Sequence, residues 1–110
     1  MKLIRDKIPL IALAKGETMQ THTARDAEYL ALLKEKLFEE VIEFMDSESP
    51  EELADILEVV RAIAGHKMIP MHKLYSIRDK KRAKRGGFSG RTVWDFHLEK
   101  KRTEVQTKQA

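Results

Sequence analysis

The chain has 110 residues, enough for one compact domain and too few for two ordinary ones. Hydrophobic residues make up 42%, which can supply a core, and the absence of cysteine excludes disulfides, thiolate metal sites and thiol catalysis. The net charge of +3 conceals a division: twelve acids face two bases from Asp26 to Glu58, and thirteen bases face three acids from Arg61 to Arg102. Two such halves can pair on the surface, or they can set cation-binding carboxylates beside anion-binding lysines and arginines. No apolar run approaches the ~20 residues of a membrane span. Met1 to Pro9 mixes charges into its apolar residues and shows no cleavage-site pattern, so no secretory signal is expected. A cytoplasmic setting, with no membrane partner, is the expectation.

Arg5-Asp6-Lys7-Ile8-Pro9 reads as a helix start, with Asp6 as cap and Pro9 in the first turn. Gly16 stops that short helix, and the polar stretch to Thr23 reads as a loop. From Arg25 or Asp26 to about Asp46 there is no Gly or Pro, and Leu, Glu, Lys and Ala abound, so a long helix is expected. Ser49-Pro50-Glu51-Glu52 has the spacing of a capping box with proline at the first helical position. The helix it opens is expected to end near Ala64, with Gly65 as terminator. A further helix runs from Pro70 to about Arg85, closed by Gly86-Gly87. Thr92 to Phe96 reads as extended or as a short hairpin arm. The fold class is all-α, an antiparallel helical hairpin or bundle of about four helices. Residues 1–99 are expected to form a single domain and residues 100–110 a polar tail.

Helical periodicity separates ordinary acids from unusual ones. On the long helix, Leu30, Leu33, Leu37, Phe38, Val41, Phe44 and Met45 form a broad apolar arc. Glu40 lies on its edge and Glu43 one turn on, at the i, i+3 spacing that lets two carboxylates share a ligand. On the next helix the arc is Leu53, Ile56, Leu57, Val60, Ile63 and Ala64, with Val59 at one margin. Glu52 falls inside that sector and Asp55 just outside it, whereas Glu58 points away and reads as surface. Short-linked helices pack antiparallel, which would bring Glu40, Glu43, Glu52 and Asp55 together. Mutual repulsion would then be relieved by a divalent metal, and all-oxygen ligation favours Mg²⁺ or Mn²⁺ over Zn²⁺. The same residues also allow a plainer account, in which Glu52 only caps its helix and the other acids face solvent.

Glu39-Glu40-Val41-Ile42-Glu43, followed by Glu52-Leu53-Ala54-Asp55, resembles the EExxE…ExxD signature of the all-α nucleoside triphosphate pyrophosphatases, the MazG-like superfamily. Lys2 to Pro9 and Arg85-Gly86-Gly87-Phe88 look like the phosphoribosyl-ATP pyrophosphohydrolase-like, or house-cleaning, branch, so the resemblance spans about Lys2 to Phe88. The interval between Glu43 and Glu52 is short for that superfamily. The resemblance implies Mg²⁺ held by Glu40, Glu43, Glu52 and Asp55, with Glu39 in an outer shell or on a second metal. It also implies cleavage between the α- and β-phosphates of a nucleoside triphosphate, and assembly into a homodimer or homotetramer. Glu39 is our choice of general base.

A triphosphate also needs cations. Lys81 and Arg85 share one face at i, i+4 beside the Gly-Gly turn, and Arg5 and Lys7 sit in a motif with no structural need for them. These four are the candidate substrate contacts, although most of the basic residues from Arg78 to Arg85 read as a solvated face. The histidines His22, His66, His72 and His97 show no ligand spacing, and Trp94 and Phe96 read as packing against a partner subunit. The expected function is a Mg²⁺-dependent nucleotide pyrophosphohydrolase acting on standard or non-standard triphosphates. The alternatives are a phosphoribosyl-ATP pyrophosphohydrolase of histidine biosynthesis, a nucleic-acid-binding helical module and a catalytically silent interaction module. Nucleic-acid binding is disfavoured, because no recognition motif is present and the acidic half repels the backbone.

Overall fold

The structure, a computed structural model, describes residues 1–96. The 100–110 tail and His97 lie outside the described residues. Four helices follow in order: α1 (Ile8–Ala14), α2 (Asp26–Ser47), α3 (Pro50–His66) and α4 (Met71–Arg85). The described residues contain no strand, and none of their helices is long and apolar enough to cross a membrane. Thr92–Asp95 adopts no regular structure; Trp94 and Phe96 meet edge to face at 5.6 Å. The chain divides into two compact units, residues 1–76 and 77–110, and the division falls within α4.

The first unit is organised around the antiparallel α2–α3 hairpin, whose linker is only Glu48 and Ser49. Glu48 takes the left-handed conformation, φ 55°, and its N–H bonds the Phe44 carbonyl, which ends α2 without a glycine. Pro50 opens α3 with its φ already set for a helix. The expected capping box does not form as such. Ser49 makes no bond to an orphan backbone N–H; its hydroxyl donates to the Glu52 carboxylate instead. Asp6 likewise makes no cap bond, Lys7 being the residue that precedes α1. Gly65 does not stop α3, which runs on through His66 and closes where Met68 turns to φ 59°. Gly16 and Gly86 do sit at positive φ, 83° and 85°, and end α1 and α4 as their positions in the sequence imply.

The core is small: Leu33 of α2 is 1% exposed, and Val59 and Ala64 of α3 and Ala12 of α1 complete it. The two long helices are rolled relative to the arcs drawn from periodicity. The margin that carries Glu40 on α2, and the margin that carries Val59 and Asp55 on α3, turn inward. The opposite margins are left outside, with Phe38, Met45 and Leu57 about two-thirds exposed.

Leu33 is the best-packed side chain, and truncating it leaves a cavity that a two-helix core cannot collapse to fill. Leu33→Ala is expected to destabilise the chain by about 3 kcal/mol, read as a lower urea midpoint with unchanged slope in helical circular dichroism.

Candidate functional site

Besides an open groove on α2 lined by Phe38, Glu39, Ile42 and Glu43, a cavity of about 270 Å³ opens in the first unit, against the α2–α3 hairpin. Tyr29, Leu33, Lys36 and Glu40 line it from α2, and Asp55, Glu58, Val59 and Ala62 from α3. Residues Leu3, Ile4, Arg5 and Asp6, from the irregular segment before α1, form the remaining wall. Helical spacing explains the membership: Tyr29, Leu33, Lys36 and Glu40 recur at intervals of three or four and share one face. Asp55, Glu58, Val59 and Ala62 do the same on α3. Half of this wall is apolar and half is charged.

Glu40 is the unusual member. It is 6% exposed, one oxygen lies 3.4 Å from Lys36 Nζ, and the other, Oε1, is buried with no hydrogen-bond partner. Burial pushes the carboxyl of Glu40 above the usual glutamate range; Lys36 opposes the shift, and the nearby charges of Asp55 and Glu43 add to it. An orphaned carboxylate oxygen of this kind costs about 1–3 kcal/mol. Asp55 is one-third exposed and accepts a 2.6 Å bond from the Arg5 guanidinium.

The remaining acids are placed differently. Glu52 is turned to the α2–α3 linker, where the hydroxyls of Ser47 and Ser49 both donate to Oε1 at 2.6 Å. Those two bonds hold its carboxyl below the usual glutamate range. Glu43 is exposed on the outer surface of α2 and reaches the cavity only through its charge on Glu40. Glu39 does not line the cavity either. Burial works against its charged form, but the ammonium groups of Lys2, at 3.2 Å, and Lys36, at 3.4 Å, outweigh that and keep its carboxyl below the usual range. Among the described residues, no three His, Asp or Glu side chains converge as a ready-made metal site. The structure brings Glu40, Asp55 and Arg5 together and leaves Glu43, Glu52, Glu39 and Lys7 outside the cavity wall. Lys81 and Arg85, both exposed, belong to the second unit.

Sequence reasoning did not assign several cavity residues, Glu58, Lys36 and Tyr29 among them. Glu58 is exposed, as its surface reading implies, and it also borders the cavity. Lys36 is half-buried and lies near both Glu39 and Glu40, a position that its i, i+3 and i, i+4 spacing announces. Tyr29 lines the cavity and packs edge to face on His66 at 5.3 Å. Comparison of the chain with protein-family models, with curated proteins and with solved structures finds no match.

The donor set suits a hard divalent cation in part. The free oxygen of Glu40 and the carboxylate of Asp55 are oxygen donors on facing helices, and both border one cavity. Glu52 fits less well, since it would have to give up both serine hydroxyls.

Because the Glu40 carboxyl is raised, the folded state takes up its proton at higher pH than the unfolded chain does. Its burial therefore destabilises the fold at neutral pH, and that penalty fades as pH falls from the folded value towards the ordinary 4.5. Glu40→Met is expected to stabilise the chain by about 1 kcal/mol at pH 7, with the gain shrinking at pH 4.5 in parallel urea titrations. Ser47→Ala/Ser49→Ala is expected to return the Glu52 carboxyl towards the ordinary glutamate value, followed by side-chain NMR across an acid titration.

Proposed function

We propose that the chain is a divalent-cation-dependent nucleotide pyrophosphohydrolase that cleaves nucleoside triphosphates between the α- and β-phosphates. The observation that carries this reading is the buried, unpartnered Glu40 oxygen beside a cavity that also holds Asp55 and Arg5. The likeness of the acidic pattern to the all-α pyrophosphatases supports it independently. Mg²⁺ or Mn²⁺, when bound, supplies charge neutralisation on the phosphates and an activated water. Glu40 and Asp55 are the leading proposed ligands, because both border the cavity. Glu43, one turn from Glu40, and Glu52, once released from its serines, are the further candidates.

The chain's own residues have distinct work under this reading. Arg5 offers a guanidinium fork at the cavity wall, suited to phosphate oxygens. Glu58 borders the cavity and is the carboxylate we assign to take the proton from water, in preference to Glu39, which is held by Lys2 and Lys36 on another face. Leu3, Ile4, Leu33 and Val59 keep part of the wall dry. Lys7 remains a proposed phosphate contact on the ground of charge alone, whereas Lys81 and Arg85 belong to the second unit and are not assigned to this cavity.

The exposed margins of the hairpin support association of copies, as a homodimer or homotetramer. Phe38, Met45 and Leu57 are more exposed than a monomer of this size ordinarily leaves its large apolar residues. Phe38→Lys is expected to lower the sedimenting mass to that of one chain; an unchanged mass would show that this margin is not the interface.

The activity is tested with a panel of triphosphates and Mg²⁺, monitoring pyrophosphate. Wild type is expected to turn over at least one of them, and Asp55→Asn or Glu40→Gln to lose about a hundredfold or more in kcat/KM with helicity retained. Full activity in both variants, or no pyrophosphate from any triphosphate, would contradict the proposal.

A further inference from the structure

The segment before α1 is an irregular strap, and two of its basic side chains, Lys2 and Arg5, engage the two long helices separately. Lys2 Nζ lies 3.2 Å from Glu39 of α2, and Arg5 Nη2 lies 2.6 Å from Asp55 of α3. Leu3 and Ile4, between them, are half-buried and line the cavity. The apolar pair therefore docks the strap, Arg5 neutralises Asp55 at the cavity, and Lys2 pairs with Glu39 outside the cavity wall. Both ion pairs are more than half exposed on their basic side, at 63% for Lys2 and 57% for Arg5. Exposed pairs of this kind are weak and exchange readily.

Asp55 and the orphaned oxygen of Glu40 border the same cavity, and the Asp55 charge adds to the strain on Glu40. Arg5 is thus the positive charge that stands at Asp55 whenever no other cation is there. We infer that Arg5 is a built-in counter-ion that competes with a divalent cation for Asp55 and is displaced when the cation arrives, so that its guanidinium turns to an anionic ligand at the cavity mouth. The strap itself stays docked through Leu3 and Ile4, because the exchange moves only a side chain. Occupation and anion capture are then linked in order: the cation frees the arginine, and the freed arginine binds the anion. This inference rests on the proposed function and adds an ordering step to it.

The test is Mn²⁺ binding to the full chain, followed by electron paramagnetic resonance without any nucleotide, for wild type, Arg5→Gln and Lys15→Gln. Lys15 is an exposed lysine outside the cavity wall and controls for the loss of one positive charge. Arg5→Gln is expected to bind Mn²⁺ about threefold to fivefold more tightly than wild type, as removal of a weak competitor implies. Lys15→Gln should match wild type. In wild type, Mg²⁺ is expected to shift the Arg5 Nε NMR resonance. Arg5→Gln binding Mn²⁺ no more tightly than wild type, or an Arg5 signal indifferent to Mg²⁺, would overturn the inference and leave the proposed function standing. Failure of all three proteins to bind Mn²⁺ would overturn both.

Discussion

The site is organised by one unfavourable contact: a glutamate oxygen held inside the hairpin with nothing donating to it. Glu40 is buried, and Lys36 reaches only one of its two oxygens. Burying a carboxylate without full pairing costs stability, and the raised proton affinity of Glu40 expresses that cost in another form. An apolar side chain at this position would stabilise the hairpin better, and that is the ground on which a ligand is proposed there. Under the proposed function, a divalent cation would supply what the protein withholds.

The hairpin produces this arrangement through its short linker and the roll of its helices. With only Glu48 and Ser49 between them, α2 and α3 are fixed side by side at one end. Glu52 is drawn into the linker by the two serines, so it fastens the turn rather than facing the cavity. Leu33 and Val59 then set the packed faces, and the acids nearest to them, Glu40 and Asp55, are carried inward. The strap from Lys2 to Arg5 closes the third side. The same roll leaves Phe38, Met45 and Leu57 outside.

The helices were legible because their punctuation is local. Pro50, Gly16 and Gly86 each impose backbone geometry whatever the tertiary context. Gly65 misled, since a glycine within a helix costs only about 1 kcal/mol and packing on α2 can outweigh it. The serine–glutamate spacing at Ser49 reads as a capping box, but the hydroxyl takes a side-chain acceptor instead of a backbone N–H, a choice that spacing alone does not encode. At the site, the edge position of Glu40 and the closeness of Asp55 could be read from periodicity. The place of the exposed Glu58 at the cavity rim and the outward turns of Glu43 and Glu52 could not. They follow from a roll decided by competition between two broad apolar arcs, each wider than the contact it makes. Lys36 was overlooked for a related reason: a lysine between acids on a helix looks like ordinary surface pairing until the helix is turned.

The most direct test of the central claim is a crystal structure grown with Mn²⁺, with the metal located by its anomalous scattering. The account predicts a manganese peak within coordination distance of the free Glu40 oxygen and the Asp55 carboxylate, on the cavity side of the hairpin. Manganese absent from that cavity, with Glu40 satisfied by water or a protein donor alone, would contradict it.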